Sequence, residues 1–143
     1  MIGGIISYQG REAEISNIYN LGKITGNKDA KNLIIGGIIA RVSPDIEINL
    51  TYSYNTGKLE TENNISKYFG SIVGDMGKMK LNNCYYLKGT YDVGVGGSET
   101  VTGVSQLDSI DKFPNVLEVI NGDNAFKEDS NNINNGYPIL EWQ

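Results

Sequence analysis

Two pairs of carboxylates, Asp45 with Glu47 and Glu60 with Glu62, sit two residues apart. On extended backbone that spacing puts both members on one face. Sugar hydrolysis needs such a couple, one acid donating a proton and the other acting as base or nucleophile across about 5 to 10 Å. Neither pair has the apolar setting that would raise one of its pKa values, so both read as solvated surface charge, with carbohydrate cleavage as the alternative. Cys84 is the only cysteine and the chain has no histidine. A thiol nucleophile would lack an imidazole base, and zinc would lack its commonest ligand. Cys84 reads instead as a small buried apolar residue.

Two other segments invite a binding role. Gly94-Val95-Gly96-Gly97 has the glycine content of a phosphate loop but neither the Gly-Lys-Ser/Thr ending nor a helical pattern after it. The tract from Asn121 to Asn135 is rich in oxygen ligands, yet it lacks the glycine at the sixth place and glutamate at the twelfth of a helix-loop-helix calcium site. It reads as a surface loop, with calcium left open. No cofactor is expected. Tyrosine is the better binding candidate: there are nine, and Tyr19, Tyr54 and Tyr85 recur in step with the repeats described next. Their rings are expected to stack, either as an internal ladder or as a flat strip for sugar rings or a partner protein.

The elements that would position these residues follow from self-similarity. Ile2-Gly3-Gly4-Ile5-Ile6 returns as Ile35-Gly36-Gly37-Ile38-Ile39 and as Phe69-Gly70-Ser71-Ile72-Val73, at offsets of 33 and 34 residues. A second marker follows each: Tyr19-Asn20-Leu21-Gly22, Tyr54-Asn55-Thr56-Gly57, and the degenerate Tyr85-Tyr86-Leu87-Lys88-Gly89. Periods of this size mark stacked supersecondary units. Short β-branched clusters bounded by Gly, Asn and Asp, such as Ile15 with Ile18 and Ile46 with Ile48, predict short strands and tight corners. Single repeats cannot bury an inner face, but stacking them at the ~4.8 Å strand spacing closes both core and hydrogen-bond ladders.

The expectation is an all-β, right-handed parallel β-solenoid of about three coils over residues 1–104. Ile5, Ile38 and Ile72 should form one inward column, and Ile18, Ser53 and Cys84 another. Gly3, Gly36 and Gly70 should mark a corner or a close backbone approach that a β-carbon would block. Residues 89–103 break the period and read as an irregular connection. Residues 105–143 are expected to cap the last coil, with short helices over 105–120 and with Tyr137, Ile139 and Trp142 closing the core.

The Gly-Gly-Ile-Ile marker followed by Tyr-Asn-x-Gly resembles the GLUG-motif repeats of large bacterial surface proteins. The resemblance covers residues 2–89, best at Ile35 to Ile39, Tyr19 to Ile24 and Tyr54 to Leu59, and weakest in the third repeat, where Ser71 and Tyr86 depart from it. It implies a β-solenoid in an exported, extracellular or cell-surface protein of a Gram-positive kind, with a stalk or adhesive role. It supplies no catalytic residues. Expected partners are neighbouring repeats of a parent protein and a host or cell-surface protein or glycan.

Charge and hydropathy set the remaining limits. A net charge of −5, with Arg11 and Arg41 the only arginines, argues against nucleic acid. No apolar run approaches the ~18 to 20 residues of a membrane helix, and Met1 is not followed by a signal-like segment, so an export signal is expected outside this chain. The strand at Ile2 to Ile6 is expected to present an open edge through which the chain self-associates.

Overall fold

The computed structural model describes residues 1–27, 29–62, 67–98, 101–109, 117, 120 and 124–143. Repeat one supplies β1 (Ile2–Gly3), β2 (Ile6–Gln9), β3 (Ala13–Asn20) and β4 (Ile24–Gly26). Repeat two supplies β5 (Ile35–Gly36), β6 (Ile39–Val42), β7 (Glu47–Asn55) and β8 (Leu59–Thr61), and repeat three β9 (Phe69–Gly70), β10 (Val73–Asp75) and β11 (Lys78–Leu87). Then come β12 (Val104–Leu107), β13 (Phe126–Lys127) and β14 (Ile139–Leu140).

Each strand pairs with its counterpart in the next repeat, always in parallel: β1-β5-β9, β2-β6-β10, β3-β7-β11-β12 and β4-β8. The structure is thus all-β with parallel sheets, as the repeats predict. Among the described residues, only β13 and β14 pair antiparallel. Ile2 faces Ile35 and Ile35 faces Phe69, so the offsets read in the sequence are the strand register.

The first marker forms a corner where backbones touch. A β-carbon on Gly3, Gly36 or Gly70 would stand 1.8–2.0 Å from the carbonyl oxygen of Ile6, Ile39 or Val73, respectively, which excludes any side chain. The isoleucine column is only partly as expected. Ile38 and Ile72 are fully buried, but Ile5 is 50% exposed although its N–H donates to Ile38 O at the same level. Ile38 has a layer on either side of it, whereas Ile5 has a layer on one side only.

The long strands share a kink that the repeat comparison does not reveal. Asn17, Tyr52 and Asn83 have φ of 57°, 48° and 51°. All three fall at one level, between the pairs Ser16–Thr51–Asn82 and Ile18–Ser53–Cys84. A left-handed residue interrupts the strict alternation of a strand. Inward positions are Ile48 and Leu50 before it and Ser53 and Asn55 after it in repeat two, and Met79, Leu81, Cys84 and Tyr86 in repeat three. The kink therefore turns Ser53 and Asn55 inward, and Tyr54 to the opposite side of β7. The column Ile18–Ser53–Cys84 forms as expected, with Ser53 Oγ donating to Cys84 Sγ at 3.3 Å.

Beyond Gly89 the chain is more regular than its sequence suggests. Ser71 N–H donates to Val93 O, Ile72 and Val73 N–H to Gly94 O, and Val73 bridges Val95 in parallel. Val104–Leu107 then pairs with Cys84–Leu87. These residues form a shortened fourth layer: Cys84 meets its counterpart after 20 residues, where Ser53 meets Cys84 after 31. Residues 105–107, expected in a helical cap, are strand, because Leu107 continues the β11 ladder and is buried there. Layering thus runs past the boundary expected at 104. Leu117 and Ile120 are helical, Asp108 and Ser109 are not, and the rest of the expected helices, residues 110–116 and 118–119, lies outside the described residues.

Among the described residues three clusters make the core: one between the inner faces of the corner strands and β3, β7 and β11, one around Tyr54, Leu107, Ile120 and Phe126, and one around Ile24, Ile35, Leu59 and Phe69. Trp142, expected in the core, is 81% exposed. A turn from Gln143 N–H to Leu140 O, with the Gln143 side chain folded back onto Leu140 N–H, leaves Trp142 outside it.

Candidate functional site

Tyr19, Tyr54 and Tyr85 lie directly opposite one another in β3, β7 and β11. The Tyr19 and Tyr54 rings stack, with centroids 5.1 Å apart and planes within 4°. That separation is close to the strand spacing, as identical residues in register require. The column is not an open strip. Tyr54 is fully buried, and Tyr19 and Tyr85 are half-buried against the cluster that holds Phe126.

A C-terminal segment roofs the column. Phe126 is tilted against both Tyr19 and Tyr54, at 6.4 and 6.0 Å. The Tyr54 hydroxyl donates to Pro138 O and accepts from Asn134 Nδ2 at 3.1 Å. Tyr19 donates its hydroxyl to Gln143 Oε1 at 2.7 Å. Burial pushes the Tyr54 hydroxyl far above an ordinary phenol, so it is a fixed donor.

The roof is organised by Asp129. Its carboxylate accepts from the N–H groups of Ile133, Asn134 and Gly136 at 2.6–3.0 Å. Asn132, Asn135 and Gly136 supply the positive φ that this loop needs. Desolvation pulls the Asp129 pKa up, but the three backbone donors outweigh it and hold it below the usual value. The oxygen-rich tract considered for calcium thus spends this carboxylate on its own backbone. Residues 121–123 lie outside the described residues, and no group of three or more His, Cys, Asp or Glu able to hold a metal occurs among the described ones.

On the inner side of the same strands, asparagines form a second ladder. Asn20 Nδ2 donates to Asn55 Oδ1 at 2.9 Å. Each carboxamide also closes its own turn: Asn20 with Gly22 N–H and O, Asn55 with Gly57 N–H and O, at 3.0–3.1 Å. These amides lie on the second glycine of the first marker, where a β-carbon on Gly4 would come within 2.9 Å of Asn20 Cγ and one on Gly37 within 2.3 Å of Asn55 Nδ2. In repeat three Tyr86 takes the asparagine position and Ser71 the glycine position. The two departures are coupled: without the amide, the Ser71 hydroxyl fits and bonds Thr90 Oγ1 at 2.8 Å and Tyr91 O at 3.2 Å.

The other candidates lie apart. Glu47 is exposed beside Lys80, and Glu60 is bridged by Lys23 at 2.5 Å and Lys58 at 3.1 Å. Hydrogen bonds and charge from these lysines hold both carboxyls below their ordinary pKa values, the reverse of what a general acid requires. Cys84 is buried, and burial pushes its thiol up to about 11. Gly94 and Gly96 bond in the fourth layer. No helix among the described residues is long and apolar enough to cross a bilayer. Compared with protein-family models, curated proteins and solved structures, the chain finds no match.

Proposed function

We propose that this chain is a segment of a right-handed parallel β-solenoid of the GLUG-repeat kind, a non-catalytic module of a larger exported bacterial surface protein. Its work is mechanical and adhesive: to extend a stalk and to present surface to neighbouring repeats and to a host or cell-surface protein or glycan. The observation that carries the reading is that counterparts in successive repeats pair in parallel and in register, from Ile18 through Ser53 and Cys84 to Val104. Such stacking uses the chain for a rigid, extendable scaffold. Two further observations support it: the tyrosines are roofed, and Glu47 and Glu60 are tied to lysines.

Antibody against the chain, applied to intact cells of the source bacterium before and after protease shaving, is the test. Surface labelling that shaving removes agrees with the proposal, and labelling only after lysis refutes it. A panel of complex glycans incubated with the pure protein should show no cleavage; turnover lost on Glu47→Gln would favour a carbohydrate-cleaving β-helix instead.

A further inference from the structure

The fourth layer holds a cavity of about 290 Å³, lined by Val95, which bridges Val73, and by Val104, which pairs with Cys84. Ligand sites typically measure roughly 300–1,000 Å³, so this one has room for a small molecule or a single side chain. Gly94 keeps its wall thin. A β-carbon there would stand 2.6 Å from Val104 Cγ1 and 3.0 Å from Tyr86 Cε1. The glycine run that resembled a phosphate loop in composition thus serves a cavity of a different chemistry.

Three oxygen-bearing side chains line the cavity: Tyr86, Asp92 and Ser98. Tyr86 is only 8% exposed, yet its hydroxyl has no hydrogen-bond partner among the described residues. Buried polar groups are normally paired, and one that is not points to an occupant from solution. Burial first, and the charge of Asp92 second, push the Tyr86 phenol above its ordinary value, so it stays a neutral hydroxyl. Asp92 is exposed at the rim and forms no ion pair among the described residues. The rest of the wall is aliphatic, with Val95 buried and Val101 and Val104 half-buried.

We infer that this cavity binds an organic ammonium group on a short aliphatic stem, carried by a free alkylamine or by a lysine side chain. An ammonium has three donors and no acceptor, the complement of a carboxylate and two hydroxyl oxygens without protein donors. The valines receive the stem, as apolar surface receives the methylenes of a lysine. A neutral sugar would leave the Asp92 charge without a counterion and has no aliphatic stem for the valines. Phosphate would meet Asp92 as a like charge. The site does not depend on the chain being a surface module.

The test titrates the full chain with n-butylammonium chloride and follows methyl signals by NMR. Saturable shifts are expected at Val95, Val101 and Val104, and none at Ile24 and Leu59, which belong to a separate cluster. Asp92→Asn, at an exposed position, should weaken binding about 10-fold or more, since it removes the charge from the strongest hydrogen bond. Tyr86→Phe keeps the ring and should weaken it less. Nα-acetyl-lysine methylamide in a parallel titration separates the two sources: tighter binding than n-butylammonium assigns a lysine of a peptide, weaker binding a free amine. Three results would overturn the inference. The first is no saturable shift with either ammonium, which leaves the cavity to water. The second is an affinity unchanged by Asp92→Asn, and the third is n-butanol or glucose binding as tightly as n-butylammonium.

Discussion

The Asn55 carboxamide lies on Gly37, so close that a β-carbon there would stand 2.3 Å from Nδ2 and 2.0 Å from Ser71 O. Gly37→Ala is therefore expected to destabilise by at least the roughly 1–3 kcal/mol of an overpacked core. Asn55→Ala should not rescue it, because the backbone oxygen remains. Gly10→Ala, which meets only the Tyr8 ring at 2.9 Å, is the control and should shift the urea midpoint little.

Tyr54 ties the roof to the strands. Tyr54→Phe keeps the stacked ring and removes the hydroxyl, leaving Pro138 O and Asn134 Nδ2 without this partner. Asn134 Nδ2 still donates to Pro138 O at 3.2 Å, so a loss of about 0.5–1.5 kcal/mol is expected, that of a net hydrogen bond. Tyr19→Phe breaks a more exposed bond to Gln143 and should cost less. Chemical unfolding gives the two values, and limited proteolysis within 124–143 should accelerate more for Tyr54→Phe.

Acid should loosen the roof through Asp129. Its folded pKa is depressed, so its contribution is present above the ordinary Asp value and is lost as pH falls through the lower folded value. Glu47 and Glu60 contribute with the same sign, but from the strand faces. Tyrosine ring signals of Tyr19 and Tyr54, followed by NMR from pH 6 downward, should report the roof separately. In Asp129→Asn this acid step should be absent.

Much of this architecture is legible in the sequence, because identical residues at one period must stack. The parallel register, the tyrosine column and the glycine corners follow from that alone. The kink is hidden because Tyr52 occupies a left-handed position that Asn17 and Asn83 hold in the flanking repeats. The asparagine ladder is hidden for a different reason: Asn20 and Asn55 read as turn formers, and only the coupled loss of asparagine at Tyr86 and glycine at Ser71 hints that amide and glycine touch. The fourth layer escapes notice since it returns after 20 residues with no marker. Ile5 and Trp142 are apolar by pattern yet exposed, because burial depends on what lies above them.

Cys84 should serve as an internal reporter. Buried beside Ser53, with its thiol pushed up to about 11, it offers neither access nor thiolate near neutral pH. Labelling by a thiol reagent is expected to follow the unfolding curve in urea. Rapid labelling of the native protein would mean that the inner column opens locally.

Successive repeats as successive layers is the claim on which everything else rests, and a cross-link reads it directly. Glu14 and Asn49 face each other in β3 and β7 on the exposed side. In a Cys84→Ala background, Glu14→Cys with Asn49→Cys should oxidise to an intramolecular disulfide, since directly paired strand positions fall within the ~4.4–6.8 Å Cα separation that the bond requires. Peptide mapping of the monomer should recover the 14–49 link in high yield, and Glu14→Cys with Glu47→Cys, two places out of register, should yield little. A reversed preference, or only intermolecular links, would contradict the layered account.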